Sequence, residues 1–145
     1  GAHGAGHRGS QSRFASSGLQ GAKILLVEDQ MAVRKLVRKL LEVLGCDVIE
    51  VVSGREALDL WPSVQDQVRL VLSDVVMPGG VSGWELAREL HQRHPDLAIL
   101  LTSGHAAEME RHGLDEESSV AFLQKPYGVD TLRESMAGLL RGEAN

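Results

Sequence analysis

The sequence predicts an α/β fold in which five parallel strands alternate with five helices that cover both faces of the sheet. Five short apolar runs of strand length recur along the chain and are mostly unbroken, as expected of strands buried on both sides. Segments with apolar residues at helical spacing separate these runs. Two of the segments begin with the capping sequences Ser53-Gly-Arg-Glu56 and Ser82-Gly-Trp-Glu85. Such alternation implies right-handed crossovers and a doubly wound sheet.

Length, charge and composition restrict the class of protein. The chain has 145 residues, 43% of them hydrophobic, which suits one domain with a real core. A net charge of −5 without a basic block does not favour nucleic-acid binding. Neither a membrane-spanning run nor a signal-peptide core is present, so we expect a cytoplasmic domain without membrane contact. Cys46 has no partner for an internal disulfide and is predicted to be a buried small side chain.

Residues 1–21 differ in composition and periodicity from the rest of the chain. They are rich in glycine and serine and show neither helix nor strand periodicity. This composition predicts a flexible linker or tag over residues 1–21, followed by a folded domain over residues 22–145.

The first half of the folded part contains two strand–helix units. "KILLVED" is the first strand, and the following helix places apolar residues on one face, namely Val33, Leu36, Val37, Leu40, Leu41 and Leu44. Gly45 is a natural C-terminal cap for that helix. "CDVIEVV" is the second strand. A short helix then begins at Ser53 and is predicted to end at Trp61, because Pro62 follows.

The second half contains three further units. "VRLVLSD" is the third strand, and a helix begins at Ser82 and runs to about Arg93. "LAILLTS" is the fourth strand, and a weak, short helix is predicted over residues 105–112. "VAFLQKP" is the fifth strand. Asp130 is predicted to cap the last helix, whose apolar side carries Leu132, Met136, Leu139 and Leu140.

Reactive side chains collect where the strands end. The first strand ends in Glu28-Asp29, the third in Asp74, the fourth in Thr102-Ser103 and the fifth in Lys125-Pro126. The carboxyl ends of parallel strands lie at one edge of a sheet, where ligand sites form. Taken singly, each residue is more often a cap, a turn former or a solvated side chain. Their joint appearance at four strand ends is not required by any folding rule and indicates a site.

This set of side chains predicts phosphoryl chemistry. Three unpaired carboxylates placed close together repel one another, and a divalent cation relieves the repulsion. Oxygen ligands of this kind suit Mg²⁺. The metal lets a phosphoryl group approach Asp74, which then acts as a nucleophile. Thr102 offers a hydroxyl to one phosphoryl oxygen, and Lys125 offers a positive charge to another.

The quoted motifs resemble those of receiver domains of two-component signalling systems, which have a flavodoxin-like fold with strand order 2-1-3-4-5. "LLVEDQ", "LVLSDVVMPG", "ILLTSG" and "FLQKPY" match the family's acid pair, phosphoacceptor, hydroxyl and lysine motifs, and the likeness covers residues 23 to about 141. The resemblance implies that Glu28, Asp29, Asp74 and the backbone carbonyl of Val76 hold Mg²⁺. It also implies that a phosphohistidine of a histidine kinase or phosphotransfer domain phosphorylates Asp74.

The resemblance carries further implications for switching and docking. The Lys125–Pro126 peptide bond is expected to be cis, as proline permits. Thr102 and Phe122 are the implied switch residues, acting on the face formed by the fourth helix, fifth strand and fifth helix. The basic side of the first helix, with Arg34, Lys35, Arg38 and Lys39, is either a solvated face or the docking site of a partner's helical hairpin. Because Val76 cannot orient a water molecule, we expect slow self-dephosphorylation.

The amino-acid sequence around Asp74 is most similar to the C-terminal receivers of hybrid sensor histidine kinases. The alternatives are a stand-alone single-domain response regulator and a receiver-like interaction module without phosphate turnover. An aspartyl phosphatase of the haloacid-dehalogenase type needs a second acid two residues after the nucleophile, where this chain has Val76. Any activity of the domain itself is expected to be limited to self-phosphorylation and dephosphorylation. We expect a monomer or weak dimer.

Overall fold

A computed structural model describes residues 18–77, 79–105 and 119–142. Its sheet has five parallel strands in the order β2-β1-β3-β4-β5, which confirms the predicted fold class. The strands are β1 (Lys23–Val27), β2 (Asp47–Val51), β3 (Val68–Asp74), β4 (Ala98–Ser103) and β5 (Val120–Gln124). The described helices are α1 (Met31–Val43), α2 (Gly54–Val64), α3 (Gly83–Arg93) and α4 (Val129–Leu140). The helix predicted over residues 105–112 lies almost entirely outside the described residues.

Two hydrophobic cores sandwich the sheet, one on each face. In β1, Leu25 and Val27 pack into the core shared with α2 and α3, whereas Ile24 and Leu26 pack into the core shared with α1 and α4. Side chains alternate between the two faces of a strand, and here both faces are covered. The two-sided burial explains why the strands appear in the sequence as unbroken apolar runs.

The strand register brings the reactive strand ends together. Asp74, the last residue of β3, is the direct partner of Thr102 on β4. Val27, which precedes the acid pair, is the partner of Ser73. Ser103 on β4 is the partner of Gln124, which precedes Lys125. All four predicted strand ends therefore lie at the carboxyl edge of one sheet.

The predicted apolar face of α1 is wrong at one position. Leu36 is 60% exposed, whereas Val37 and Leu41 are buried against the sheet, as is Leu44 just after the helix. Successive residues are rotated by about 100° around a helix, so Leu36 lies at the margin of the arc that the sheet and α4 cover. The sequence pattern cannot show where that arc ends, because its width depends on the neighbouring elements.

The predicted end of α2 is also wrong, because the helix continues through Pro62 to Val64. Proline removes one helical hydrogen bond, but burial of Trp61 and Val64 favours the extra turn, and the N–H of Gln65 still donates to the carbonyl of Trp61 at 2.8 Å. A proline in the last turn therefore costs less than one in the helix interior.

The two predicted capping sequences form different sets of hydrogen bonds. In α3 the box is complete: Ser82 Oγ accepts from the Glu85 N–H at 3.1 Å, and the Glu85 carboxylate accepts from the Ser82 N–H at 2.9 Å. In α2, Ser53 Oγ accepts from Glu56 N–H at 3.0 Å, but the Glu56 carboxylate accepts from the N–H of Val52 instead. The cap of α4 is Gly128, so Asp130, predicted as the cap, lies in the first turn.

The packed domain begins before the predicted boundary at residue 22. Leu19 is fully buried in the core shared with α1 and α4. The N–H of Gly21 donates to the carbonyl of Gly45 at 2.7 Å, and the N–H of Ala22 donates to the carbonyl of Leu19 at 3.0 Å. The end of the predicted linker is thus part of the fold; residues 1–17 lie outside the described part.

Within the described ranges, no helix combines the length and the apolar composition needed to cross a bilayer. Cys46 is buried and forms no disulfide, as predicted. Burial, reinforced by the charge of Asp47, raises the pKa of its thiol to about 11.

Candidate functional site

Asp74 is held at the centre of the carboxyl edge. Its carboxylate Oδ2 accepts a hydrogen bond from Lys125 Nζ at 3.1 Å, and the pair is only partly exposed. Backbone hydrogen bonds fix the surroundings: the N–H of Val75 donates to the carbonyl of Thr102 at 2.9 Å, and the N–H of Gly83 donates to the carbonyl of Val75 at 2.8 Å. The acid therefore has a cationic partner, which corrects the expectation of three unpaired carboxylates.

Glu28 is the most buried acid of the site, with 4% of its surface exposed. Its Oε2 accepts a hydrogen bond from the N–H of Gln30 at 3.1 Å. Burial raises the pKa of the Glu28 carboxyl, and the negative charges of Asp74 and Asp29 raise it further, against the opposing effects of Gln30 and Lys125. A raised pKa means that the ionised form is unfavourable in the folded chain, and a nearby cation would relieve that cost.

The two hydroxyl residues at the end of β4 have different surroundings. Thr102 is buried beside Asp74 in the register of the sheet. Ser103 Oγ donates to the carbonyl of His105 at 2.8 Å and accepts from the N–H of His105 at 3.0 Å. The Ser103 hydroxyl thus closes a local turn, whereas Thr102 is the strand partner of Asp74.

A cavity of about 10 Å³ lies between the predicted site residues, which is close to the least volume that holds one water molecule. Its polar lining joins side chains from four strand ends, together with one tyrosine: Glu28, Ser73, Asp74, Thr102, Lys125 and Tyr127. Asp29 and Val76 do not line this cavity, and Val76 is exposed. The fold therefore brings together four of the predicted residues around one small cavity, whose remaining lining is mostly apolar.

Tyr127 also lines this cavity, beside the predicted site residues. Burial, followed by the charges of Glu28 and Asp74, raises its pKa to about 12, so the phenol remains protonated. Tyr127 follows Lys125 by two residues, and Lys125 contacts Asp74. This short spacing is the feature of the sequence that indicates a position of Tyr127 near the site. The Lys125–Pro126 peptide bond between them is cis.

The donor chemistry of the site fits Mg²⁺, although the metal-binding group is not preassembled. Among the residues that the structure describes, no three His, Cys, Asp or Glu side chains form a cluster that could hold a metal ion. Mg²⁺ does not require such a cluster, because it is usually held by one or two carboxylates and completes its shell with water and phosphate oxygens. A buried carboxyl with a raised pKa beside Asp74 provides the negative surroundings that a divalent cation favours.

Phe122, the predicted aromatic switch residue, is partly buried rather than free. Its ring lies 5.1 Å from that of Trp84, with the two planes tilted by 46°. Both residues belong to the core shared by α2 and α3. Trp84 is almost fully buried, as expected of a packing residue.

Two of the four basic residues on the predicted docking side make intramolecular ion pairs. Arg34 Nε donates to Glu50 Oε1 at 3.0 Å, and Arg38 pairs with both Glu50 and Glu42. Hydrogen bonds from Arg38 and Arg34 hold the pKa of the Glu50 carboxyl below its usual value. Because α1 packs beside β2, this basic side meets a carboxylate of the edge strand, while Lys35 stays exposed.

Comparison with known proteins agrees with this geometry. A family model described as "Response regulator receiver domain" matches residues 24–137. Sensor kinase CckA of Brucella abortus is 37% identical over 119 residues, which are 82% of this chain and 12% of that protein. Response regulator MprA of Mycolicibacterium vanbaalenii is 38% identical over 120 residues, which are 82% of this chain and 50% of that protein. The chain thus spans half or less of these relatives.

Solved structures show the same likeness. The receiver domain of the hybrid histidine kinase CckA superposes with a TM-score of 0.67 and 31% identity, covering 82% of this chain and 99% of that one. A receiver domain protein from Clostridium thermocellum gives a TM-score of 0.76 and 25% identity, covering 83% and 94% of the two chains. With its strand order and its acid, hydroxyl and lysine at the strand ends, the chain belongs to the response regulator receiver domain family.

Proposed function

We propose that this domain accepts a phosphoryl group on Asp74 from a phosphohistidine of a histidine kinase or phosphotransfer domain. The observation that carries the proposal is the contact of Lys125 Nζ with Asp74 Oδ2 at 3.1 Å, beside the buried Thr102 and Glu28. An acid, an amine and a hydroxyl around one small cavity match the needs of a developing acyl phosphate.

The transfer forms one bond and breaks one. A carboxylate oxygen of Asp74 bonds to phosphorus as the bond between phosphorus and the donor's imidazole nitrogen breaks, and the electron pair of that bond stays on nitrogen. Lys125 moves its charge from the free carboxylate to a phosphoryl oxygen, and the Thr102 hydroxyl donates to another. The close backbone packing around Val75 and Gly83 holds the acceptor in place during the transfer.

Mg²⁺ belongs to the same proposal. Glu28, Asp29, Asp74 and the backbone carbonyl of Val76 would hold the ion. When bound, the ion would screen the repulsion between the carboxylate and the incoming phosphoryl group. The exposed position of Val76 leaves this side of the site open to solvent and to a partner.

Docking is proposed for the exposed side of α1. That side combines two lysines with apolar residues: Met31, Lys35, Leu36, Lys39 and Val43. Arg34 and Arg38 take less part than the sequence suggests, because Glu50 engages both. An apolar surface with lysines at its centre fits an amphipathic helical hairpin with an acidic flank.

Signal output is proposed to begin at Thr102 and to pass to Phe122. Phosphorylation adds close to two negative charges at the carboxyl edge. Movement of Thr102 towards the phosphoryl group would change the space available to the ring of Phe122, which packs on Trp84. The face that would respond is the one predicted from the helix after β4, from β5 and from the last helix. Of these elements, β5 and the last helix, α4, lie within the described residues.

The setting of the domain is proposed to be the C-terminal receiver of a cytoplasmic hybrid sensor histidine kinase. Likeness to sensor kinase CckA of Brucella abortus and to the solved receiver domain of a hybrid histidine kinase CckA supports this setting. A stand-alone response regulator is the alternative, which similarity to MprA supports. The sequence of the gene upstream of residue 1 decides between the two settings.

Beryllofluoride and phosphoramidate test the proposed function. Phosphoramidate carries the same kind of phosphorus–nitrogen bond as phosphohistidine, so with Mg²⁺ it should add one phosphoryl group, detectable by intact mass. Asp74→Asn should abolish the addition, whereas Asp47→Asn, a matched change at the exposed start of β2, should not. With Mg²⁺ and beryllofluoride, amide resonances of residues 74, 102 and 125 should shift. A domain that shows neither effect would be an interaction module without phosphate turnover.

A further inference from the structure

The segment that joins β1 to α1 carries both acids of the site and is held by an arginine side chain. Arg34 Nη1 donates a hydrogen bond to the backbone carbonyl of Glu28 at 2.9 Å. The Nε of the same guanidinium donates to Glu50 Oε1 on β2 at 3.0 Å. Arg34 is 15% exposed, so the contacts are shielded from solvent. One planar group thus connects the acid-bearing segment to the edge strand.

Other hydrogen bonds also hold this short segment, one of them from the backbone N–H of Arg34 to the carbonyl of Gln30 at 2.8 Å. The Glu28 N–H donates to the carbonyl of Val51 at 3.1 Å, and the N–H of Gln30 donates to the Glu28 carboxylate itself. The last of these contacts would weaken whenever the carboxylate turns towards a cation. The hydrogen bond from Arg34 does not involve the Glu28 carboxylate, so it can persist when the carboxylate is otherwise engaged.

A neighbouring arginine provides an internal comparison. Arg38 lies one helical turn further along α1 and also pairs with Glu50, but its second partner is Glu42, at 2.9 Å. Neither of these carboxylates belongs to the segment between β1 and α1. The two arginines therefore share an ion-pair partner and differ in the contact to the Glu28 backbone.

We infer that Arg34 is a positioning residue for the magnesium site, acting through the backbone of Glu28 and itself oriented by Glu50. The inference rests on the proposed function. A guanidinium reaches two acceptors in fixed directions, whereas a lysine ammonium in its place would reach one of them at a time. Orienting contacts behind metal ligands commonly change metal affinity by about 10-fold or more. Loss of Arg34 should therefore weaken Mg²⁺ binding although Arg34 is not itself a ligand.

The experiment compares Arg34→Met with Arg38→Met in the full chain. The Mg²⁺ dissociation constant is measured from amide shifts of residues 28, 29 and 74, and urea unfolding without metal reports stability. Arg34→Met should weaken Mg²⁺ binding about 10-fold, and Arg38→Met less than about 2-fold. Arg34→Lys should restore part of the affinity, which also covers the case in which Arg34→Met folds poorly. Hydrogen exchange of the Asp29 and Gln30 amides without metal should accelerate in Arg34→Met alone.

The outcomes separate this inference from the proposed function. Equal Mg²⁺ affinities in Arg34→Met, Arg38→Met and wild type would overturn the positioning role while leaving the magnesium site intact. Equal losses in both variants would assign the effect to the shared ion pair with Glu50 and would also overturn it. If the wild-type chain itself binds no Mg²⁺, both the inference and the proposed metal site fail.

Discussion

Gly83 lies where the first turn of α3 passes close to the backbone of Asp74, the proposed phosphoacceptor. A Cβ atom added at this glycine would stand 2.3 Å from the carbonyl oxygen of Asp74 and 2.9 Å from the Cα of Val75. Both are backbone atoms and cannot rotate away as a side chain could. Gly83→Ala is therefore expected to displace α3, the end of β3, or both.

The size of the effect follows from these distances. Ordinary contacts of a Cβ begin near 3.4 Å, so α3 and the end of β3 must separate by about 1 Å. Overpacking of a tightly packed site costs roughly 1–3 kcal/mol. Alanine gains up to about 1 kcal/mol over glycine inside a helix, but less in a first turn. We expect Gly83→Ala to lower the free energy of unfolding by roughly 1–2 kcal/mol and to slow phosphorylation, because the carbonyl that moves belongs to Asp74.

Urea unfolding of the metal-free chain measures the loss of stability, and phosphoramidate labelling measures the effect on phosphorylation. Gly104→Ala is the matched control, because a Cβ there meets no atom within 4 Å and the residue lies outside the left-handed region. That control should unfold within about 0.5 kcal/mol of wild type. If Gly83→Ala unfolds at the same urea concentration as Gly104→Ala, the close approach to Asp74 does not constrain the site.

Three further predictions concern burial. With a thiol pKa of about 11 and little exposure, Cys46 should react with a disulfide reagent at pH 8 far more slowly than the same thiol in urea; equal rates would contradict its burial. Folding raises the pKa of the Glu28 carboxyl, so the protonated carboxyl adds to the free energy of unfolding at pH values below its unfolded-state pKa. This contribution is lost as the pH rises through the folded-state pKa. Glu28→Gln should accordingly stabilise the metal-free chain more at pH 7 than at pH 4, and an equal effect at both would count against the shift. Leu19→Ala should cost about 2–4 kcal/mol in urea unfolding, whereas exposed Leu36→Ala should stay within about 0.5 kcal/mol; similar losses would show that Leu19 does not anchor the fold.

Most of the fold was predictable because its signals are local. Unbroken apolar runs mark strands covered on both faces, and the Ser82–Glu85 capping box marks the start of α3 where the structure has it. The site was predictable for a related reason. In a parallel sheet every strand ends at the same edge, so Asp74, Thr102 and Lys125 had to meet once the strands were assigned.

The errors arose where a property depends on a distant neighbour. Pro62 remains within α2 because Trp61 and Val64 are buried against the sheet. Leu19 is buried because α1 and α4 leave a place for it, although its local sequence is that of a linker. In both cases a local preference opposes the packing: that of proline to end a helix, and that of a glycine- and serine-rich segment to stay flexible. The burial of the apolar side chains outweighs it.

The sequence alone determined the order of strands and helices and the kinds of reactive group at each strand end, since both depend on short stretches of the chain. Only the tertiary structure decided which groups the arginines of α1 meet. It directs Arg34 towards Glu50 and the backbone of Glu28. The physical reason is that ion pairs and hydrogen bonds act over about 3 Å, and residues far apart in the chain come that close only after the helices have packed on the sheet.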